Sequence, residues 1–153
     1  MTLYVMAKYL HVVGTLGLFA SLGLEWAMLG QLRRAQASEQ IREWARVGGW
    51  LRWLVPLSLV AILVPGFYMM ATAWRGGPPW IGLSFAGLVC VAVLGALSTR
   101  RLAGVVRAAL AQEGPLPLTA RARLQVRFPW VSLQARAALL LAIVFLMTAK
   151  PGQ

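Results

Sequence analysis

Charges fall in blocks along the chain, and between the blocks run long uncharged stretches at 9–24, 53–74, 76–99 and 137–149. A helix needs about 20 predominantly apolar residues to cross a bilayer. The second and third stretches meet that length unaided. The first meets it when Lys8 and Glu25 are accepted near its ends, and the fourth when Arg136 is taken inside it. The pattern predicts an all-α fold, a four-transmembrane-helix bundle forming a single domain over 1–153, with spans at about 3–29, 53–74, 80–99 and 129–149. The first run lacks a basic leading segment and continues too far before any small-residue cleavage site. It reads as a permanent span rather than a signal peptide.

The linkers fit these limits. Arg75-Gly76-Gly77-Pro78-Pro79 reads as a tight turn, with Trp74 and Trp80 as interfacial aromatics on either side. Tyr4 and Tyr9 suit the same interface, and Trp50, Trp53 and Trp130 the opposite one. Segment 38–48, from Ser38, sets Ile41, Trp44 and Ala45 on one side and is expected to lie in the interface as a short cytoplasmic amphipathic helix. The third helix is expected to run past the membrane to about Gln112 and to stop at Gly114, with Pro115 and Pro117 turning the chain. A basic helix capped by Thr119 then leads into Pro129.

Charge sets the orientation. The first linker carries Arg33, Arg34, Arg42, Arg46 and Arg52, the third carries Arg100, Arg101, Arg107, Arg121, Arg123 and Arg127, and the second only Arg75. Basic linkers stay cytoplasmic, which places both termini outside, in the periplasm or extracellular space. The net charge of +11 accompanies 59% hydrophobic and only 12% charged residues. Arginines clustered between apolar runs meet anionic lipid, so the expected partner is the bilayer, with no nucleic acid. A homodimer or a membrane-complex partner fits as well.

Ionisable groups inside lipid are costly, and each is a functional candidate. They are Lys8, His11, Glu25 and Arg136. His11, the only histidine, lies roughly 12 Å into span one at 1.5 Å per residue. Pro65-Gly66 and Cys90 fall at similar depth, and a kink at Pro65 would open a notch beside Gly66. His11 with Met69 and Met70 forms a candidate cofactor set, and His11 with Met6 and Cys90 a candidate metal set, for haem b or copper. Met147 also falls in this outer half. The competing reading of His11 is a hydrogen bond to a backbone carbonyl or a hydroxyl, and that of the methionines is packing. Lys8 either snorkels outward or joins Tyr4 and His11 in a polar patch. Glu25 and Arg136 match in depth within a helical turn, so they form a structural ion pair or snorkel separately. Small residues at Gly14, Gly17, Ser21, Gly82, Ala86, Gly95 and Ala138 suit close helix contact.

No catalytic residue stands out. The chain has no aspartate, which removes a Ser/His/Asp triad, and no nucleotide-binding or zinc-protease motif is present. One cysteine excludes an intrachain disulfide.

The opening stretch from Lys8 to Arg34, with Leu10-His11 early in span one, then glycines and a basic linker, resembles the DUF2269-like small bacterial integral membrane proteins. More distantly it is similar to the CopD-like copper-resistance and HemJ-like membrane families. The ending from Phe145 to Gly152 has the hydrophobic, Lys-Pro look of such proteins. The resemblance implies a helical membrane bundle with His11 as a candidate haem or metal ligand. The chain departs from the copper-handling relatives in having no second histidine, and in Gly17–Ser21 where a Trp-Phe-Gly-Gly pattern is common. With the resemblance, these features lead to a binding or accessory module of a bacterial inner membrane. The alternatives are a subunit of a small-solute or ion transporter, with Pro65-Gly66 as a broken-helix site, or a structural partner in a membrane complex.

Overall fold

The computed structural model describes residues 2–73, 78–111, 114–115, 118–125 and 127–150, and of Ala120, Arg121 and Arg123 only the backbone. Trp74, the first part of the turn at 75–79, the stop near Gln112, Pro117 and the final Pro151-Gly152 lie outside the described residues. The chain forms α1 (Leu3–Arg34), α2 (Ser38–Ala73), α3 (Pro79–Leu110), α4 (Leu118–Leu124) and α5 (Phe128–Ala149). Four of these, α1, α2, α3 and α5, are long and apolar enough to cross a membrane, and the protein is a multi-pass membrane protein.

Local chemistry accounts for the ends. Pro79 opens α3 and Pro129 lies in the first turn of α5, positions where a missing N–H costs nothing. Arg33 and Arg34 close α1, where cations complement the negative end of the helix dipole. Gly114 takes a left-handed φ of 86°, and its carbonyl accepts the Ser38 N–H at 3.2 Å. This bond and the bridge from Ala37 to Pro115 tie the first linker to the third.

The helices pack as two close pairs, α1 with α2 and α3 with α5. Lesser contacts of α1 with α5 and α2 with α3 close the ring. Glycine sets the first pair. A Cβ at Gly14 would lie 2.9 Å from the Ala61 carbonyl carbon and the Ser58 carbonyl oxygen, so only hydrogen fits there. Lipid supplies no hydrophobic drive between helices, and close backbone approach provides the packing energy instead. In the second pair, Ser132 donates to the Leu94 carbonyl at 3.1 Å. One core, with Leu18, Leu22, Ile62, Val91, Leu133 and Leu140, lies between the four spans. The outer flanks carry large apolar side chains, with Leu16 and Val64 each 63% exposed and Leu141 60%.

A second core differs from expectation. Segment 38–48 is not a helix lying in the interface but the first turns of α2, which runs unbroken for 36 residues through Pro56 and Pro65. Its Ile41 is fully buried in a cluster with Met28, Leu32, Ala35, Ala109 and Leu124. The spacing of Ile41, Trp44 and Ala45 serves a helix facing lipid headgroups or one facing other helices, and here the partners are protein. Gly48 assists, since a Cβ there would sit 3.2 Å from the Met28 sulfur. With 32 residues each, α1 and α3 are about 48 Å long, well beyond a hydrocarbon core of about 30 Å. Their arginine-rich ends therefore project from the membrane and build this second core.

Gly14→Ala is expected to destabilise the bundle by about 1–3 kcal/mol through overpacking. Gly23→Ala, at a site with nothing within 4 Å, should leave stability unchanged or raise it. Thermal unfolding of the two variants in the same detergent checks the contrast.

Candidate functional site

Two polar features interrupt the apolar bundle. The first joins α1 to α5. Arg136 Nη2 donates to Glu25 Oε1 at 2.6 Å, with the two side chains only 8% and 13% exposed. Arg136 Nε donates to the Ser132 carbonyl at 3.3 Å, one turn back on its own helix. Gly95 of α3 provides the space, for a Cβ there would lie 3.3 Å from Arg136 Nη1. Each charge alone would be severely penalised in so dry a place. Together, with the extra bond to Ser132, they form a neutral unit that spans the seam between the two helix pairs.

Toward the arginine-rich end, the same seam is lined by aromatics. Trp26 meets Trp130 edge-on, with ring centroids 6.4 Å apart. The Arg33 guanidinium lies 4.8 Å from the Trp130 ring centroid, and Arg101 lies 3.9 Å from that of Phe128. The sequence marks Trp130 only as an interfacial residue and gives no role to Trp26 or Phe128. The available signal was the position of Trp26 and Trp130 beside Glu25 and before Arg136 on helices of matching depth.

The second feature is His11. Its Nδ1 lies 2.8 Å from the Ile62 carbonyl oxygen of α2. A carbonyl only accepts, so Nδ1 carries the hydrogen, and a neutral ring keeps its lone pair on Nε2. Thr15 Oγ1 donates to the His11 carbonyl at 2.9 Å. The space beside Gly66 is taken by the imidazole itself, as a Cβ on Gly66 would touch Cε1 and Nδ1 at 3.4 Å. Pro65, buried just before it, removes the N–H that would bond the Ala61 carbonyl. The same stretch of α2 that receives His11 thus also carries a proline.

The other candidate ligands are spread out. Met69 and Met70 are half-buried on α2, two turns beyond Ile62, and Met6 is exposed on α1. Cys90 is exposed on α3, a helix that packs against α2 and α5 rather than α1, so it is not brought to His11. Lys8 and Tyr4 are exposed. Among the described residues no group of three or more His, Cys, Asp or Glu side chains is placed to hold a metal ion.

Glu25→Ala strands a buried guanidinium and is expected to cost about 3–5 kcal/mol. Replacing both partners with leucine should cost less than the sum of the two single leucine substitutions. Unfolding in detergent of the single and double variants measures the coupling, with Glu39→Ala, at an exposed ion pair, as the small-effect control.

Comparison of the chain with protein-family models, with curated proteins and with solved structures gave no match.

Proposed function

We propose that the chain is a binding or accessory module of a bacterial inner membrane, related to the DUF2269-like proteins, with its termini on the periplasmic side and His11 as its ligand-binding group. The arginine count supports the orientation, since segments 30–52 and 100–128, the helix ends and turns that join α1 to α2 and α3 to α5, hold 11 of the 15 basic residues. The hydrogen bond from His11 Nδ1 to the Ile62 carbonyl carries the ligand reading. Metal-bound histidines characteristically donate their second ring nitrogen to a carbonyl or carboxylate, which fixes the ring and leaves the other nitrogen for the metal. Haem b or copper suits a histidine accompanied by methionine thioethers, and Met69 and Met70 are the nearest such groups along α2. With one histidine per chain, a bis-histidine haem would need a second copy.

The full chain purified in mild detergent, then incubated with haemin or Cu(I), is expected to gain a Soret band or bound copper. His11→Ala should abolish that uptake while keeping its helical circular dichroism. Wild-type protein that takes up neither haemin nor copper would contradict the reading. Reporter fusions after Gly114 and at the C-terminus test the orientation, with cytoplasmic and periplasmic signals expected respectively.

A second reading, a subunit of a larger membrane assembly or transporter, is favoured by the outer face of α3. Gly82, Ala86 and Cys90 are exposed there, and nothing lies within 4 Å of Gly82. A stoichiometric membrane partner or a homodimer in native-membrane extracts would support it.

A further inference from the structure

Two cavities meet at the arginine-rich end of the seam between α1 and α5. The larger, about 390 Å³, is lined by residues including Trp26, Gln31, Arg34 and Trp130. The smaller, about 270 Å³, is lined by residues including Leu29, Arg101, Leu102 and Trp130. Arg33 lines both, and among the described residues none that lines either is acidic. The ring contacts of Arg33 and Arg101 place their guanidiniums near the start of α5, whose first turn has no side-chain cap. Trp26, Arg34 and Arg101 are exposed on the flank of the bundle, so the groove is open from the side.

We infer that this groove binds an acidic phospholipid. Its level on the helices is two turns beyond the buried ion pair, where the apolar spans give way to arginine. A phosphodiester sits at that level in a bilayer, with acyl chains below it. Arginine presents a planar fork of donors that matches phosphate oxygens, and three arginines converge on the two cavities. Trp26 and Ala27, nearer the bilayer centre than Arg33 and Arg34 on α1, line the larger cavity and offer an exposed apolar surface to the upper part of an acyl chain. The described lining residues carry positive charge alone, which matches the net negative headgroup of an acidic lipid better than a zwitterionic one. Basic pockets between transmembrane helices are a recurring setting for such headgroups.

The test uses the full chain, delipidated in dodecyl maltoside and titrated separately with dioleoyl phosphatidylglycerol, dioleoyl phosphatidylcholine and inorganic phosphate. Melting temperature and bound lipid by native mass spectrometry are the readouts. Phosphatidylglycerol is expected to bind and to raise the melting temperature more than phosphatidylcholine. Arg33→Gln/Arg101→Gln should weaken its binding at least fivefold, whereas Arg42→Gln/Arg46→Gln, which removes equal charge away from the groove, should leave it unchanged. Arg34→Gln, at an exposed side chain on the larger cavity, gives the same direction should the first double variant fail to fold. Equal effects of the two lipids, equal loss in the Arg42/Arg46 variant, or an equal shift from inorganic phosphate would each overturn the inference.

Discussion

A helix flank surrounded by hydrocarbon must be apolar, and its backbone must be satisfied from within. The rest of this protein follows from that constraint. Large side chains such as Leu16, Val64 and Leu141 face outward, while the interior combines aliphatic residues such as Leu18 and Ile62 with buried serines and Arg136. Several serine and threonine hydroxyls donate to backbone carbonyls, as Ser21 to Leu18 and Ser84 to Trp80. Apolar residues therefore cover the flanks as well as the core, because the solvent outside is as greasy as the interior.

Against that background the Glu25–Arg136 pair has a specific consequence. Within each helix pair, packing relies on glycine contact or a serine bond, and these local features leave the pairing of the two halves less defined. A buried carboxylate and guanidinium permit essentially one relative placement of α1 and α5, because any other leaves a charge unpaired. Beyond the membrane the constraint changes. There α1, α2, α3 and α4 form a small water-facing core around Ile41, and this second cluster holds the same seam from the other end.

The spans were legible in the sequence because an uncharged run of membrane length needs no periodicity to be seen. The depths of Glu25, Arg136 and His11 follow from the rise per residue. What sequence does not encode locally is which helix neighbours which. The small residues Gly14 and Gly17 signal close contact without naming Ser58 and Ala61 as what they touch, and a carbonyl acceptor for His11 is foreseeable in kind but not as Ile62. Segment 38–48 illustrates a deeper ambiguity. One apolar helix face serves lipid headgroups or neighbouring helices equally well, and Gly48-Gly49 looks like an end although the helix runs through it. Trp26 carries no distinctive signal, because a tryptophan near a span end is ordinary and its partner Trp130 lies on a distant part of the chain.

The most direct measurement of the central claim uses the single cysteine. Cys90 is exposed near the middle of α3's apolar stretch, so a nitroxide attached to it in the reconstituted protein reports what surrounds the bundle. Hydrocarbon there predicts frequent collisions with dissolved oxygen and few with a water-soluble nickel chelate. Nickel collisions exceeding those with oxygen would place water against that flank and contradict the account.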